Sequence, residues 1–116
     1  MKILVVDDDE HILRLYREEL EEDGYDVVIA KTGAAALEAF AKENPDLVTL
    51  DILIPDMDGI AVLRKMKEMR PRVPIIMSTA YDYRDDFAVW ASEAYIVKSA
   101  DLTELKGKIK ELLSKG

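Results

Sequence analysis

The chain has no cysteine, and among its 116 residues stand one histidine, one tryptophan and four prolines. Without cysteine there is no disulfide framework, no thiolate metal site and no cysteine nucleophile. The single histidine, His11, is the only place where a phosphohistidine could form, and with no partner motif around it it reads as an exposed helix residue. No apolar run approaches the roughly 20 residues needed to cross a bilayer. Positive charge is also scarce: 16 Lys and Arg against 24 Asp and Glu leave a net charge of −8. That balance argues against nucleic acid as a direct ligand, because such binding rests on neutralising phosphates. The start, "MKILVV", has neither the length nor the cleavage site of a signal peptide, so a cytoplasmic location without membrane contact is expected.

The composition that remains, 49% hydrophobic and 34% charged, is that of an ordinary globular domain. The length suits one domain with its own core, expected to occupy residues 1–116 and to leave no room for an output domain. There are no repeats and no low-complexity stretches. Five short apolar runs recur: "ILVV" (3–6), "DVVIA" (26–30), "LVTL" (47–50), "PIIM" (74–77) and "YIV" (95–97). They are continuous rather than alternating, as strands covered on both faces should be.

Stretches of helical period separate them. Residues 10–22 align Ile12, Leu13, Tyr16 and Leu20 on one face, with Gly24 closing the turn. "TGAAALEAFAKEN" offers Thr32 as a cap and Leu37, Phe40 and Ala41 as a core stripe. "GIAVLRKMKEM" follows with Ile60, Leu63 and Met66, and "YRDDFAVWASE" (83–93) gives a weaker helical pattern containing Trp90. The last helix opens at "DLTE", where Asp101 and Glu104 resemble a capping box, and continues through Leu105, Ile109 and Leu112. Strict alternation of strand and helix predicts a flavodoxin-like doubly wound α/β fold. Its five parallel strands should run in the order 2-1-3-4-5, inside a three-layer sandwich.

Ligands of such sheets bind beyond the carboxyl ends of the strands. Those ends carry Asp7 and Asp8 after the first strand and Asp51 after the third. Ser78 and Thr79 end the fourth, Lys98 ends the fifth, and the second contributes nothing. Three crowded carboxylates repel one another unless a cation neutralises them. An all-oxygen set without His or Cys suits a hard ion, Mg²⁺ better than a full Ca²⁺ cage. With Lys98 and a hydroxyl added, the site is prepared for extra negative charge on one Asp, the requirement of phosphoryl transfer to a carboxylate. Glu10 reads as an acid favouring the start of the first helix, while Asp9 stands between helix cap and site.

The pieces "ILVVDDDEHIL", "GYDVVIAKTGAAALEAF", "PDLVTLDILIPDMDGIAVLRKMK", "VPIIMSTAY" and "AYIVKS" resemble, in order and spacing, the receiver domain of two-component response regulators. That resemblance implies a signalling switch rather than an enzyme, its only chemistry being its own phosphorylation and dephosphorylation. Asp51 would take a phosphoryl group from the phosphohistidine of a sensor histidine kinase or phosphotransfer protein. Asp7, Asp8, Asp51 and the backbone carbonyl of Leu53 would hold Mg²⁺, Asp7 acting through water. Thr79 and Lys98 would contact the phosphoryl oxygens, and Tyr95 would turn inward as Thr79 moves. The output surface would be the face formed by the fourth helix, fifth strand and last helix, docking an unknown partner protein or domain, or a second phosphorylated copy.

This sequence departs from the family pattern at several points. Ser99 stands after Lys98 where proline is usual, the Thr79–Lys98 interval is short by about one helical turn, and "WASEAY" replaces the usual Gly-Ala pair. Leu53 and Tyr81 are bulky where many relatives are polar. Ser99 and the shortened Thr79–Lys98 interval keep open a docking domain that works without phosphorylation. A dehalogenase-type Mg²⁺ phosphatase is less consistent, since Ile52 and Leu53 follow Asp51 where a second Asp is needed two positions on. A flavin site is opposed by "DDDE", which would repel the cofactor phosphate.

Overall fold

The first apolar run becomes β1 (Lys2–Val6), and its side chains divide between two cores. Ile3 and Val5 join one cluster with Leu13, Tyr16, Leu20, Leu47, Ile76, Leu105 and Ile109. Leu4 and Val6 join the other with Ala36, Phe40, Val48, Leu50, Val62, Leu63, Met66 and Met77. Successive strand residues point to opposite faces, so a strand covered on both is largely apolar throughout. Each fully buried aliphatic side chain contributes about 1.5–3 kcal/mol.

The computed structural model describes residues 1–51, 54–79, 94–97 and 102–114, with the backbone alone for Thr79 and Ala94–Val97. After β1 come α1 (Glu10–Glu22), β2 (Asp26–Ala30), α2 (Gly33–Glu43), β3 (Leu47–Leu50), α3 (Gly59–Met69), β4 (Ile75–Thr79), β5 (Ala94–Val97) and α4 (Thr103–Ser114). The five strands form one sheet in the order β2-β1-β3-β4-β5, and every adjacent pair is parallel. The core partition puts α1 and α4 on one face of the sheet and α2 and α3 on the other. The expected doubly wound sandwich is therefore present. Chain direction across the sheet reverses at β1, which lies between β2 and β3. Among the described residues no helix is long and apolar enough to cross a membrane.

Helix boundaries follow their caps. The Asp9 side chain accepts the His11 N–H at 2.8 Å, Thr32 accepts that of Ala35 at 3.0 Å, and Asp58 accepts that of Ile60 at 2.9 Å. Each satisfies a donor that the first helical turn leaves free. Gly24, with φ of +95°, turns the chain out of α1 into β2. Two details differ from expectation. Ala41 is exposed, and the buried positions of α2 are Gly33, Ala36 and Phe40, with Leu37 half-buried. The fourth strand runs on to Thr79, two residues beyond its apolar run: Ser78, buried despite its hydroxyl, and Thr79 continue the pairing with β5. The helix expected over 83–93, with Trp90, and the cap expected at Asp101 lie outside the described residues.

Candidate functional site

β1 and β3 are adjacent central strands, held in register from Ile3–Leu47 to Val6–Leu50. One residue further on, the Asp51 N–H donates to the Val6 carbonyl at 3.0 Å and the Asp7 N–H to that of Ala30 at 3.1 Å. Pairing thus continues just past the strands and brings the first acid after each to the same rim. Asp7 and Asp51 are 2% and 4% exposed, whereas Asp8 is open to solvent.

Asp7, Asp8 and Asp51 can each place a carboxylate oxygen so that the three atoms lie within 4.8 Å of one another. Oxygens bound to one small octahedral divalent ion are about 3 Å apart when adjacent and about 4.2 Å apart when opposite, so the spread of these three is on the scale of a shared cation site. The donors are all oxygen, which matches a hard cation. Burying carboxylates is costly without compensation, and part of it is visible: Asp7 Oδ1 accepts the Asp9 N–H at 2.9 Å. That bond fixes the Asp7 carboxylate and tightens the turn into α1. Asp9 itself spends its side chain on the helix cap.

The other expected groups fall differently. Ser78 does not serve the rim. Its hydroxyl lies 2.9 Å from the Tyr16 hydroxyl in the buried layer between sheet and α1. Thr79 ends β4 and pairs with Val97 on β5, while Met77 pairs with Tyr95, which brings the backbones of Thr79 and Tyr95 onto neighbouring strands. Leu53, Lys98, Ser99 and Tyr81 lie outside the described residues.

Two features of the rim escaped the sequence reading. Lys31, just past β2, forms an ion pair with Glu10 at the start of α1. The hydrogen bond and charge of Lys31 hold the Glu10 carboxyl below its ordinary range. Asp56, after β3, accepts the Gly33 and Ala34 N–H groups at 2.7 and 3.0 Å. Those two backbone bonds likewise keep its carboxyl below the usual value. The acid run "DMD" at 56–58 therefore caps two helices, Asp56 the start of α2 and Asp58 the start of α3. Asp58 caps locally, two residues before its donor Ile60. Asp56 acts across 23 residues, and nothing in its neighbourhood along the chain signals it.

Comparison with known proteins agrees with this geometry. The model of the response regulator receiver domain matches residues 3–110. The alkaline phosphatase synthesis transcriptional regulatory protein PhoP of Bacillus subtilis is 37% identical over 115 residues, covering 97% of this chain and 48% of its own length. The chain thus spans about half of that relative. Against sporulation initiation phosphotransferase F of the same organism it is 36% identical over 115 residues, covering 97% of this chain and 93% of the relative. Among solved structures, response regulator TrrA of Thermotoga maritima in complex with Mg²⁺-BeF superposes with a TM-score of 0.92. It is 44% identical, with 96% of this chain and 97% of that one covered. TrrA in complex with the histidine kinase ThkA gives 0.91, at the same 44% identity and with 97% of each chain covered. With the acid-bearing strand ends, the sheet order and these matches in agreement, the chain belongs to the response regulator receiver domain family.

Proposed function

We propose that this domain is a phosphoacceptor switch in which Asp51 receives a phosphoryl group from the phosphohistidine of a sensor histidine kinase or phosphotransfer protein. The observation that carries this reading is the convergence of Asp7, Asp8 and Asp51 within 4.8 Å at the ends of two central strands. Asp8, Asp51 and the Leu53 carbonyl would hold Mg²⁺ directly and Asp7 through water. When bound, the ion neutralises the carboxylates and the incoming phosphoryl oxygens.

A carboxylate oxygen of Asp51 attacks phosphorus, the P–N bond to the donor histidine breaks, and its electron pair stays with the imidazole. Asp51 is nearly buried and stands at the end of β3, so the donor would approach from the rim beyond the strands. Thr79 and Lys98 would hold the phosphoryl oxygens, and Tyr95 would follow Thr79 as the output face changes. The kinase complex of TrrA supports a kinase as donor, and its Mg²⁺-BeF complex supports Mg²⁺ as the ion. Residues 1–116 act as one receiver unit in the cytoplasm, and an output protein or domain, or a second phosphorylated copy, reads the face of the fifth strand and the helices beside it.

Incubation with acetyl phosphate and Mg²⁺, followed by intact-mass spectrometry, tests this reading. One phosphate adduct, lost in Asp51→Asn and in EDTA, is expected. An adduct that survives Asp51→Asn refutes the assignment.

A further inference from the structure

β2 supplies no chemistry to the rim, yet the turn that follows it touches both loops that do. On one side Lys31 is paired with Glu10, two residues beyond Asp8. On the other the Gly33 and Ala34 N–H groups donate to the two oxygens of Asp56, five residues beyond Asp51. Met57 seals the same junction. A Cβ on Gly33 would lie 2.8 Å from the Met57 Sδ, so the absence of a side chain at Gly33 is what lets the segment after β3 press onto the start of α2. Ile54 anchors that segment in the core shared by α2 and α3.

From these contacts we infer that Asp56 is a positioning residue for the metal site. Its carboxylate fastens the segment leaving Asp51 to the β2–α2 turn, and through Lys31 and Glu10 to the loop that carries Asp8. The pairing of β1 with β3 sets the spacing of the strands that carry Asp7 and Asp51, and the brace, which contributes no ligand, ties together the loops that leave those strands. Removing the clamp leaves Asp51 attached to β3 but loosens the chain beyond it, so the ligand that this segment is proposed to supply must be ordered by the ion itself. Partners hydrogen-bonded directly to metal ligands change metal affinity by about 10–100-fold when lost, and a brace one step further out is expected at the lower end of that range.

This inference rests on the reading of Asp7, Asp8 and Asp51 as a Mg²⁺ site. The test measures Mg²⁺ affinity by calorimetry and the initial rate of phosphorylation by acetyl phosphate as Mg²⁺ is varied. The variants are Asp56→Ala, Asp56→Asn and Thr32→Ala. Thr32 caps the same end of α2 through Ala35 without touching the segment after β3, so it reports the effect of weakening the helix alone.

The expected result has three parts. Asp56→Ala weakens Mg²⁺ binding about tenfold or more and raises the half-saturating Mg²⁺ equally, with the rate at saturating Mg²⁺ within about twofold of wild type. Asp56→Asn, which keeps one acceptor oxygen, falls between. Thr32→Ala leaves Mg²⁺ affinity unchanged although it lowers stability. Equal Mg²⁺ affinities in Asp56→Ala and Thr32→Ala overturn the positioning role while leaving the site itself intact. A wild-type protein that takes up neither Mg²⁺ nor phosphate defeats the underlying reading instead.

Discussion

Asp8→Asn removes one charge from the acid cluster while keeping the size of the side chain, and it is exposed, so packing is undisturbed. Two like charges at the 4.8 Å limit of the set repel by about 0.9 kcal/mol in water and about 3.5 kcal/mol at an effective dielectric constant near 20. Exposure of Asp8 favours the lower figure. Its loss abolishes two of the three repulsive pairs, so the metal-free variant is expected to be more stable than wild type by about 2 kcal/mol. For a domain of this size that is a rise in Tm of roughly 8 °C. Mg²⁺ should reverse the order. At a hundred times its Kd the ion stabilises wild type by about 2.7 kcal/mol and the crippled variant far less. Differential scanning calorimetry in EDTA and in Mg²⁺ gives all four values. A variant that melts at or below wild type in EDTA would mean that the three carboxylates do not repel in the apo protein. The metal-site argument would then lose its electrostatic basis.

Other perturbations follow from contacts away from the ion. The Arg70 guanidinium lies 4.1 Å above the Phe40 ring and donates to the Phe40 carbonyl at 2.5 Å and to the Asn44 side chain. Arg70→Ala should therefore cost about 2 kcal/mol in urea unfolding, without altering phosphorylation by acetyl phosphate. Tyr16→Phe and Ser78→Ala separate the hydroxyls that meet at 2.9 Å, and a double-mutant cycle should return a coupling of about 1 kcal/mol. A coupling near zero would mean the two hydroxyls find equal partners elsewhere. Asp56 is held below its ordinary 3.8, so its clamp contributes fully above that value and is lost as pH falls through the lower folded value. The difference in urea midpoint between wild type and Asp56→Asn should be constant from pH 5 to 7, as the ordinary carboxylate range dictates, and shrink in stronger acid. Lys106 is raised by its hydrogen bond to Glu19 and by Asp23, so the opposite sign applies. Its contribution holds below 10.5 and is lost as pH rises through the higher folded value, and Lys106→Met should flatten that alkaline limb.

Short-range order explains which of these features could be seen in the sequence. A strand buried on both faces is apolar at nearly every position, so "ILVV" and "LVTL" declared themselves, helix period marked α1 and α3, and a capping Thr32 marked α2. The sheet order followed from alternation and handedness, and with it the meeting of Asp7, Asp8 and Asp51. What depends on a side chain's direction at close quarters did not. Ser78 reads as a rim hydroxyl from its place in the chain, yet the two-residue alternation of β4 turns it toward Tyr16. Asp56 and Lys31 look like solvated loop charges until folding brings α2 and α1 beside them. The amino-acid order alone determined the layers, the strand order and the acids at the rim, because hydrophobic burial and chain connectivity admit few other arrangements. Only the folded molecule decided how that rim is braced, because the brace consists of hydrogen bonds and ion pairs between loops distant in sequence.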